Sequence, residues 1–297
     1  MPSIPAKIAY GLLRLIDFKN LYVKRIVTKP PRSNPSLSIP FFLRSGIRIE
    51  EHWTDDRRTL TVIPKQLHSD QHIIYYHGGH YVNELELGMC LFAVRLAKKA
   101  GVKISITDYP LAPEHNYVQV HDWAKKNYYQ LINHYGGTSY LMGDSAGGGL
   151  ALAMAQHLKQ NNQAILHKKL LLLCPWIDMS DFGITEQDNQ KDLILQSSVM
   201  KIAADWYRAG EDLTNPLLSP IHGELKDVGD IAVWYGTEEV IAQSIKRLEQ
   251  NAQKQQVALS IYRGEGQHHE YFLLPTPEQM QVIKQIMHEL SNGQLIV

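Results

Sequence analysis

The chain has 297 residues, 44% of them apolar, with 30 basic and 30 acidic side chains that cancel to a formal net charge of zero. That balance excludes the electrostatic footprint of a nucleic-acid binder, and no apolar run is long enough to cross a bilayer. Two distant cysteines, Cys90 and Cys174, read as buried thiols of a reducing cytoplasm rather than a disulfide scaffold.

From Ile8 to Val23 the residues Ile8, Leu12, Leu15, Ile16 and Leu21 recur at helical spacing. Arg14 and Asp17 interrupt this stretch and no small-residue cleavage site follows, so no secretory leader is expected and the location is expected to be cytoplasmic. Up to Arg44 there are eight Lys or Arg against one acid, Asp17. A basic amphipathic helix can rest on an anionic membrane surface; the expectation here is instead a cap helix over an active site, without stable membrane insertion. Pro30, Pro31, Pro35 and Pro40 mark an irregular linker.

Strand–helix alternation then begins. Ile47–Trp53 and Thr59–Ile63 read as paired strands joined by a charged turn at Asp55 to Arg58, and His72–Tyr76 as a short buried strand. A helix over Glu84–Ala100, a strand over Lys103–Thr107 and a helix over His121–His134 follow. Further strands are expected at Thr138–Met142, Lys169–Cys174, Asp230–Tyr235 and Val257–Tyr262, with a helix through Ile241–Gln250 and a last one starting at Thr276-Pro277. The pattern predicts an α/β fold with a mostly parallel sheet covered on both faces. It divides into an N-terminal cap segment, residues 1–45, and a core, 46–297, interrupted by a polar insertion at about 180–215 that reads as a lid.

The chemistry centres on Gly143-Asp144-Ser145-Ala146-Gly147, a G-x-S-x-G turn between a strand and a helix. A serine hydroxyl needs a base and an acid to orient that base, and where G-x-S-x-G marks a strand-to-helix nucleophile turn both follow the serine in the chain. The loop after the last strand offers Gln267-His268-His269-Glu270, and the loop after the preceding strand offers Thr237-Glu238-Glu239. Behind His72–Tyr76, the run His77-Gly78-Gly79-His80-Tyr81 turns main-chain N–H groups outward; Gly78 and Gly79, with Ala146, are the expected oxyanion donors. His80 and Tyr81 are expected to contact substrate, although Tyr81 could equally just pack. His77, Asp144, Asp108 and Glu114 read as structural. The supply of 14 histidines raises the alternative of a metal bound among His77, His80, His268, His269 and Glu270. The spacing lacks H-E-x-x-H, and no metal is expected.

Taken together, His77-Gly78-Gly79, the run from Asp108 to His115 and Gly143 to Gly148 resemble the hormone-sensitive-lipase-like branch of the α/β-hydrolase superfamily. Pro175-Trp176-Ile177-Asp178 and the run from Asn215 to Pro220 look like later landmarks of the same family, so the resemblance runs from about Phe41 onward. It implies an eight-stranded α/β-hydrolase core, a helical cap made from the N-terminal segment and the insertion after Trp176, and no cofactor. Carried over by position, Ser145 is the nucleophile and His269, rather than His268, the base. The acid falls at Glu239, where the family commonly has an aspartate, with Glu238 as the alternative and Ser244 at a nearby place where the family pattern offers an acid. His80 replaces the family's usual third glycine. The implied activity is hydrolysis of small or short-chain carboxylic esters through an acyl-enzyme. The loop His77 to Tyr81 also resembles that of arylformamidases, which leaves an amide hydrolase as the alternative. A non-catalytic receptor of this fold is the third reading, weakened by the presence of both serine and histidine. The expected partner is a small ester; a homodimer is left open.

Overall fold

Near-continuous apolar runs in short strands demand cover on two faces, and this chain supplies it with helices from both sides. The computed structural model describes residues 1–28, 38–180 and 184–291. Its strands are β1 (Ile47–Thr54), β2 (Arg57–Pro64), β3 (His72–Tyr76), β4 (Lys103–Thr107), β5 (Ser139–Asp144), β6 (His167–Leu173), β7 (Asp230–Gly236) and β8 (Leu259–Gly264). They form one eight-stranded sheet in the order β1-β2-β4-β3-β5-β6-β7-β8. β2 runs antiparallel to both its neighbours, and every pairing from β4 through β8 is parallel. The expected strands are all present; β3 and β4 match their expected limits to the residue.

The helices are α1 (Ile4–Leu15), α2 (Phe18–Val27), α3 (Leu87–Ala100), α4 (Tyr117–Tyr135), α5 (Ala146–Gln160), α6 (Glu186–Lys191), α7 (Ser197–Arg208), α8 (Ala242–Gln255) and α9 (Pro277–Leu290). Ile74, Tyr76, Leu141, Leu172 and Val233 point to one side of the sheet, against Trp123 of α4, Leu150 of α5 and Ile245 of α8. The intervening Ile73, Tyr75, Met142, Leu171 and Trp234 point to the other, against Phe92 of α3 and Ile283 of α9. α4 starts four residues before the expected His121, because Asn116 and Gln119 close a reciprocal capping box ahead of Tyr117. α9 starts at Pro277 as expected, although the Thr276 side chain makes no capping hydrogen bond.

The N-terminal segment departs from expectation in two respects. It forms two helices rather than one, broken where Asp17 takes a left-handed conformation at φ +53°. The expected packing face is also reversed: Ala6 and Tyr10 are buried, whereas Ile8, Leu12, Leu15, Ile16 and Leu21 face solvent. The segment nevertheless sits over the sheet. α2 packs on α7, and Lys19 donates to the carbonyls of Asn189 and Asp192 in the insertion. Pro30, Pro31 and Pro35 lie outside the described residues, as do residues 181–183 of the insertion. The rest of that insertion carries α6 and α7.

Candidate active site

The strand order carries the site. β3 continues outward to β4, and the chain then returns to place β5 on the opposite side of β3, so the loops after β3 and β5 diverge at a switch point. Open α/β sheets hold their ligands in such crevices, at the carboxyl ends of the strands. Tyr76 and Gly143 are partners across this seam, and Gly236 and Gly264 are partners between β7 and β8. Gly78, Ser145, Glu239 and His269 all follow strand ends on the same rim.

At the end of β5 the chain turns into α5 within one residue, and Ser145 takes φ +48°, ψ −119°. A non-glycine residue holds such a conformation only where its surroundings over-determine it. Here Ser145 N–H donates to Leu173 O (2.9 Å), and Ser145 O accepts from the N–H groups of Trp176 (2.8 Å) and Gly149 (3.1 Å). The flanking glycines make room for this turn. A Cβ at Gly143 would strike the Gly147 carbonyl, and one at Gly147 would strike the carbonyls of Tyr76 and His77.

Ser145 Oγ lies 2.9 Å from His269 Nε2, and His269 Nδ1 lies 2.7 Å from Glu239 Oε2. An ionised carboxylate only accepts, so the imidazole proton belongs on Nδ1 and Nε2 is left to accept from the serine hydroxyl. Glu239 Oε1 also accepts the Gly236 N–H (3.1 Å). Burial pushes the Glu239 carboxyl up, and the hydrogen bond and charge of His269 oppose that rise. All three residues are buried, with Ser145 only 2% exposed. Glu238 is half-buried and its backbone N–H bonds Gln267 O, while His268 packs edge-on against Tyr10 at 4.5 Å. Neither alternative therefore joins the chain of hydrogen bonds. Ser244 bonds the carbonyl of Ile241 in the first turn of α8.

The glycine loop differs from expectation at Gly78. Its N–H donates to Asp144 Oδ1 at 2.9 Å, so it is already committed and does not face an incoming oxyanion. The motif specifies the loop but not which N–H the neighbouring aspartate takes. Gly79 (φ +112°) and His80 (φ +59°) continue the turn toward the start of α5, where Ala146 presents the first N–H of the helix. Asp144 thus stabilises the turn, as expected. His77 is structural too: its ring stacks on Tyr109 at 4.5 Å and its Nδ1 donates to Gly78 O at 2.6 Å.

His80 borders the site. Its Nδ1 lies 3.3 Å from Tyr22 Oη of α2, and its ring sits 5.6 Å from Trp176. Burial first, then the neighbouring His269, holds it neutral, down to about 3. Tyr81 does not present a substrate surface. Its ring is 1% exposed and stacked on Tyr207 at 3.9 Å, because protein fills the space beside it.

Three further residues bear on the site: Glu270, which the sequence offered only beside His269 and as a metal-ligand candidate, and Tyr22 and Asp192, which it did not single out. Glu270 lies 3.8 Å from His269 Nε2 and beside Asp144, in the space a Cβ on Gly78 would need. Burial, then the adjacent Asp144 carboxylate, pushes Glu270 well above the ordinary carboxylate range. Asp144 keeps the charge, helped by the Gly78 N–H, and Glu270 the proton. Tyr22 reaches in from the N-terminal segment. Asp192 of the insertion accepts the Val240 N–H at 2.9 Å and so ties the cap to the loop that carries Glu239. Tyr22 and Asp192 lie far in sequence from what they touch, and no spacing rule signals such a contact.

The histidine-rich metal grouping is not assembled. Among the described residues, the buried groups whose ligand atoms converge are Cys174, Glu239 and His269, and the last two are already hydrogen-bonded to each other. No helix among the described residues is long and apolar enough to cross a membrane.

Comparison with known proteins agrees with this architecture. An esterase of Acinetobacter venetianus is 28% identical over 262 residues, which cover 85% of this chain and 82% of that protein. An acetyl-hydrolase of Streptomyces hygroscopicus is 29% identical over 185 residues, or 61% of this chain and 62% of its own length. A solved structure described as an esterase from the bacterial hormone-sensitive lipase family matches over 99% of both chains with a TM-score of 0.81 at 23% identity, a likeness of fold. A family model for the alpha/beta hydrolase fold matches residues 73–273, and the chain belongs to that family.

Proposed function

We propose that this protein is a carboxylesterase-type serine hydrolase that acts on small or short-chain esters through an acyl-enzyme. The observation that carries the reading is the line of hydrogen bonds from Ser145 Oγ through His269 to Glu239, at 2.9 and 2.7 Å, in a buried crevice at the carboxyl rim of the sheet. The esterase and acetyl-hydrolase names of the similar proteins support it.

In the first half-reaction His269 Nε2 takes the Ser145 proton while Oγ attacks the ester carbonyl. Glu239 holds the imidazole tautomer and offsets the imidazolium charge. The oxyanion is met by the N–H groups of Ala146 and Gly79, with that of His80 beside them, each donor worth on the order of 10²–10³ in rate. His269 then protonates the leaving alkoxide. In the second half-reaction His269 takes a proton from water as the water oxygen attacks the acyl carbonyl, then returns it to Ser145 Oγ as the carbon–Oγ bond breaks and the acid leaves. No step calls on a cofactor or a metal.

A short acyl chain is favoured by crowding beside the donors, where the His80 ring is held between Tyr22 and Trp176. The test is a p-nitrophenyl ester series from acetate to decanoate, run on wild type and Ser145→Ala. The reading predicts that kcat/KM falls beyond about four to six acyl carbons as the pocket fills, with no turnover above background in the variant. Equal rates on acetate and decanoate would sink the short-chain assignment. Turnover by Ser145→Ala would sink the mechanism.

A further inference from the structure

The N-terminal helices present an apolar face that nothing among the described residues covers. Among the described residues fifteen large apolar side chains are exposed, and ten of them fall within the first 42 positions. In α1 the pattern is regular. Ile4, Ile8, Leu12 and Leu15 follow one another at four, four and three residues, which places them on a single helix face. They are 75%, 60%, 55% and 81% exposed. The opposite face, with Ala6 and Tyr10, already makes the helix's contact with the body of the protein. Packing of the cap therefore leaves the stripe unexplained. Ile16 at the elbow and Leu21 in α2 extend the exposed apolar surface.

The charges around the stripe identify what it fits. Lys7, Arg14 and Lys24 are exposed on these two helices, whereas Lys19 donates to the insertion and Arg25 pairs with Glu86 at 2.8 Å. The lone acid, Asp17, sits at the break between α1 and α2. On the α1 wheel Lys7 and Arg14 fall between the buried face and the exposed stripe. A helix lying in a lipid interface has this arrangement: apolar side chains enter the acyl boundary while flanking Lys and Arg remain at the level of anionic headgroups.

We propose that α1 and the elbow into α2 form a peripheral docking surface for an anionic lipid bilayer. Its position connects docking with the crevice. At the elbow a cleft of about 460 Å³ is lined by Leu13, Arg14 and Asp17 on one side and Asp192 on the other. Asp192 is the residue that holds the Val240 N–H beside Glu239, and Tyr22 of α2 meets His80. The proposed docking surface therefore adjoins the elements that hold Glu239 and His80 in place. The docking itself does not depend on the hydrolytic reading.

The test is co-sedimentation of the full chain with extruded vesicles, read as protein bound and without turnover. Vesicles of phosphatidylcholine and phosphatidylglycerol at 7:3 should pull down wild type, and pure phosphatidylcholine markedly less. The triple variant Ile8→Ser, Leu12→Ser, Leu15→Ser should lose about tenfold or more in partition coefficient. The charge variant Lys7→Gln, Arg14→Gln, Lys24→Gln should bind the two compositions alike. All these side chains are exposed, so thermal melts and rates on a water-soluble ester should match wild type. Wild type remaining in the supernatant with anionic vesicles would overturn the proposal, as would unchanged binding by the triple variant. A wild-type dimer in sedimentation equilibrium that the triple variant converts to monomer, with no vesicle binding, would assign the face to a second copy instead.

Discussion

At the scale of single residues, the account rests on proton positions. If Ser145 and His269 act as a unit, Ser145→Ala or His269→Ala should each lower kcat by roughly 10⁴–10⁶, measured on one ester under saturation. Glu239→Gln should cost less, about 10²–10⁴, because it disturbs the tautomer rather than removing the base. Glu238→Gln should leave the rate near wild type, since that side chain takes no part in the hydrogen bonds to His269. Glu270 gives a separate expectation. Its carboxyl is held protonated by burial and by Asp144, and rising pH must eventually ionise it next to that aspartate and to Gly78. A second negative charge there would oppose a developing oxyanion. The alkaline limb of kcat/KM should therefore fall in wild type and flatten in Glu270→Gln; identical limbs would show that Glu270 does not report on the site. That the loops after β7 and β8 would meet Ser145 was legible from the motif and the strand pattern, while the preference for Glu239 and His269 over their neighbours came from the family resemblance. The commitment of the Gly78 N–H to Asp144 was not, because a glycine-rich motif says nothing about which donor a buried carboxylate 66 residues away will claim.

At the scale of elements, the turn from β5 into α5 has the least freedom. A Cβ on Gly147 would meet main-chain carbonyls of the β3 end, and backbone cannot swing aside as a flexible side chain can. Gly147→Ala should destabilise by about 3 kcal/mol or more, read from the urea midpoint, well above a surface Gly→Ala exchange. The strands were legible because short apolar runs bounded by turns leave few other choices. The N-terminal segment was legible as helical but misread in its packing. Periodicity detects an apolar stripe, and α1 has apolar residues on two faces: Ala6 and Tyr10 inward, Ile8, Leu12 and Leu15 outward. Only the fold decides which is covered. The break at Asp17 was equally hidden, since a left-handed residue between two helical stretches leaves the pattern of apolar residues almost unchanged.

At the scale of the whole molecule, acid should unfold the protein through its histidines. Burial lowers His72 and His80 to about 3, and His77, His121 and His167 to about 4, from 6.5. Between pH 6.5 and those values the unfolded chain binds protons that the folded chain refuses, so stability falls as pH falls. Each such group contributes up to about 1.4 kcal/mol per pH unit. Glu270 and Glu239, raised in the folded state, work in the opposite sense as pH increases. Urea midpoints should drop steeply below pH 6, and a flat profile down to pH 4.5 would contradict the buried neutral histidines. If one hydroxyl among all those in the chain is activated, intact mass after treatment with a fluorophosphonate will reveal it. Wild type should carry a single adduct, mapped to Ser145, and Ser145→Ala and His269→Ala none at matched exposure. Wild type left unlabelled, or an adduct that persists in Ser145→Ala, would contradict the activation of Ser145.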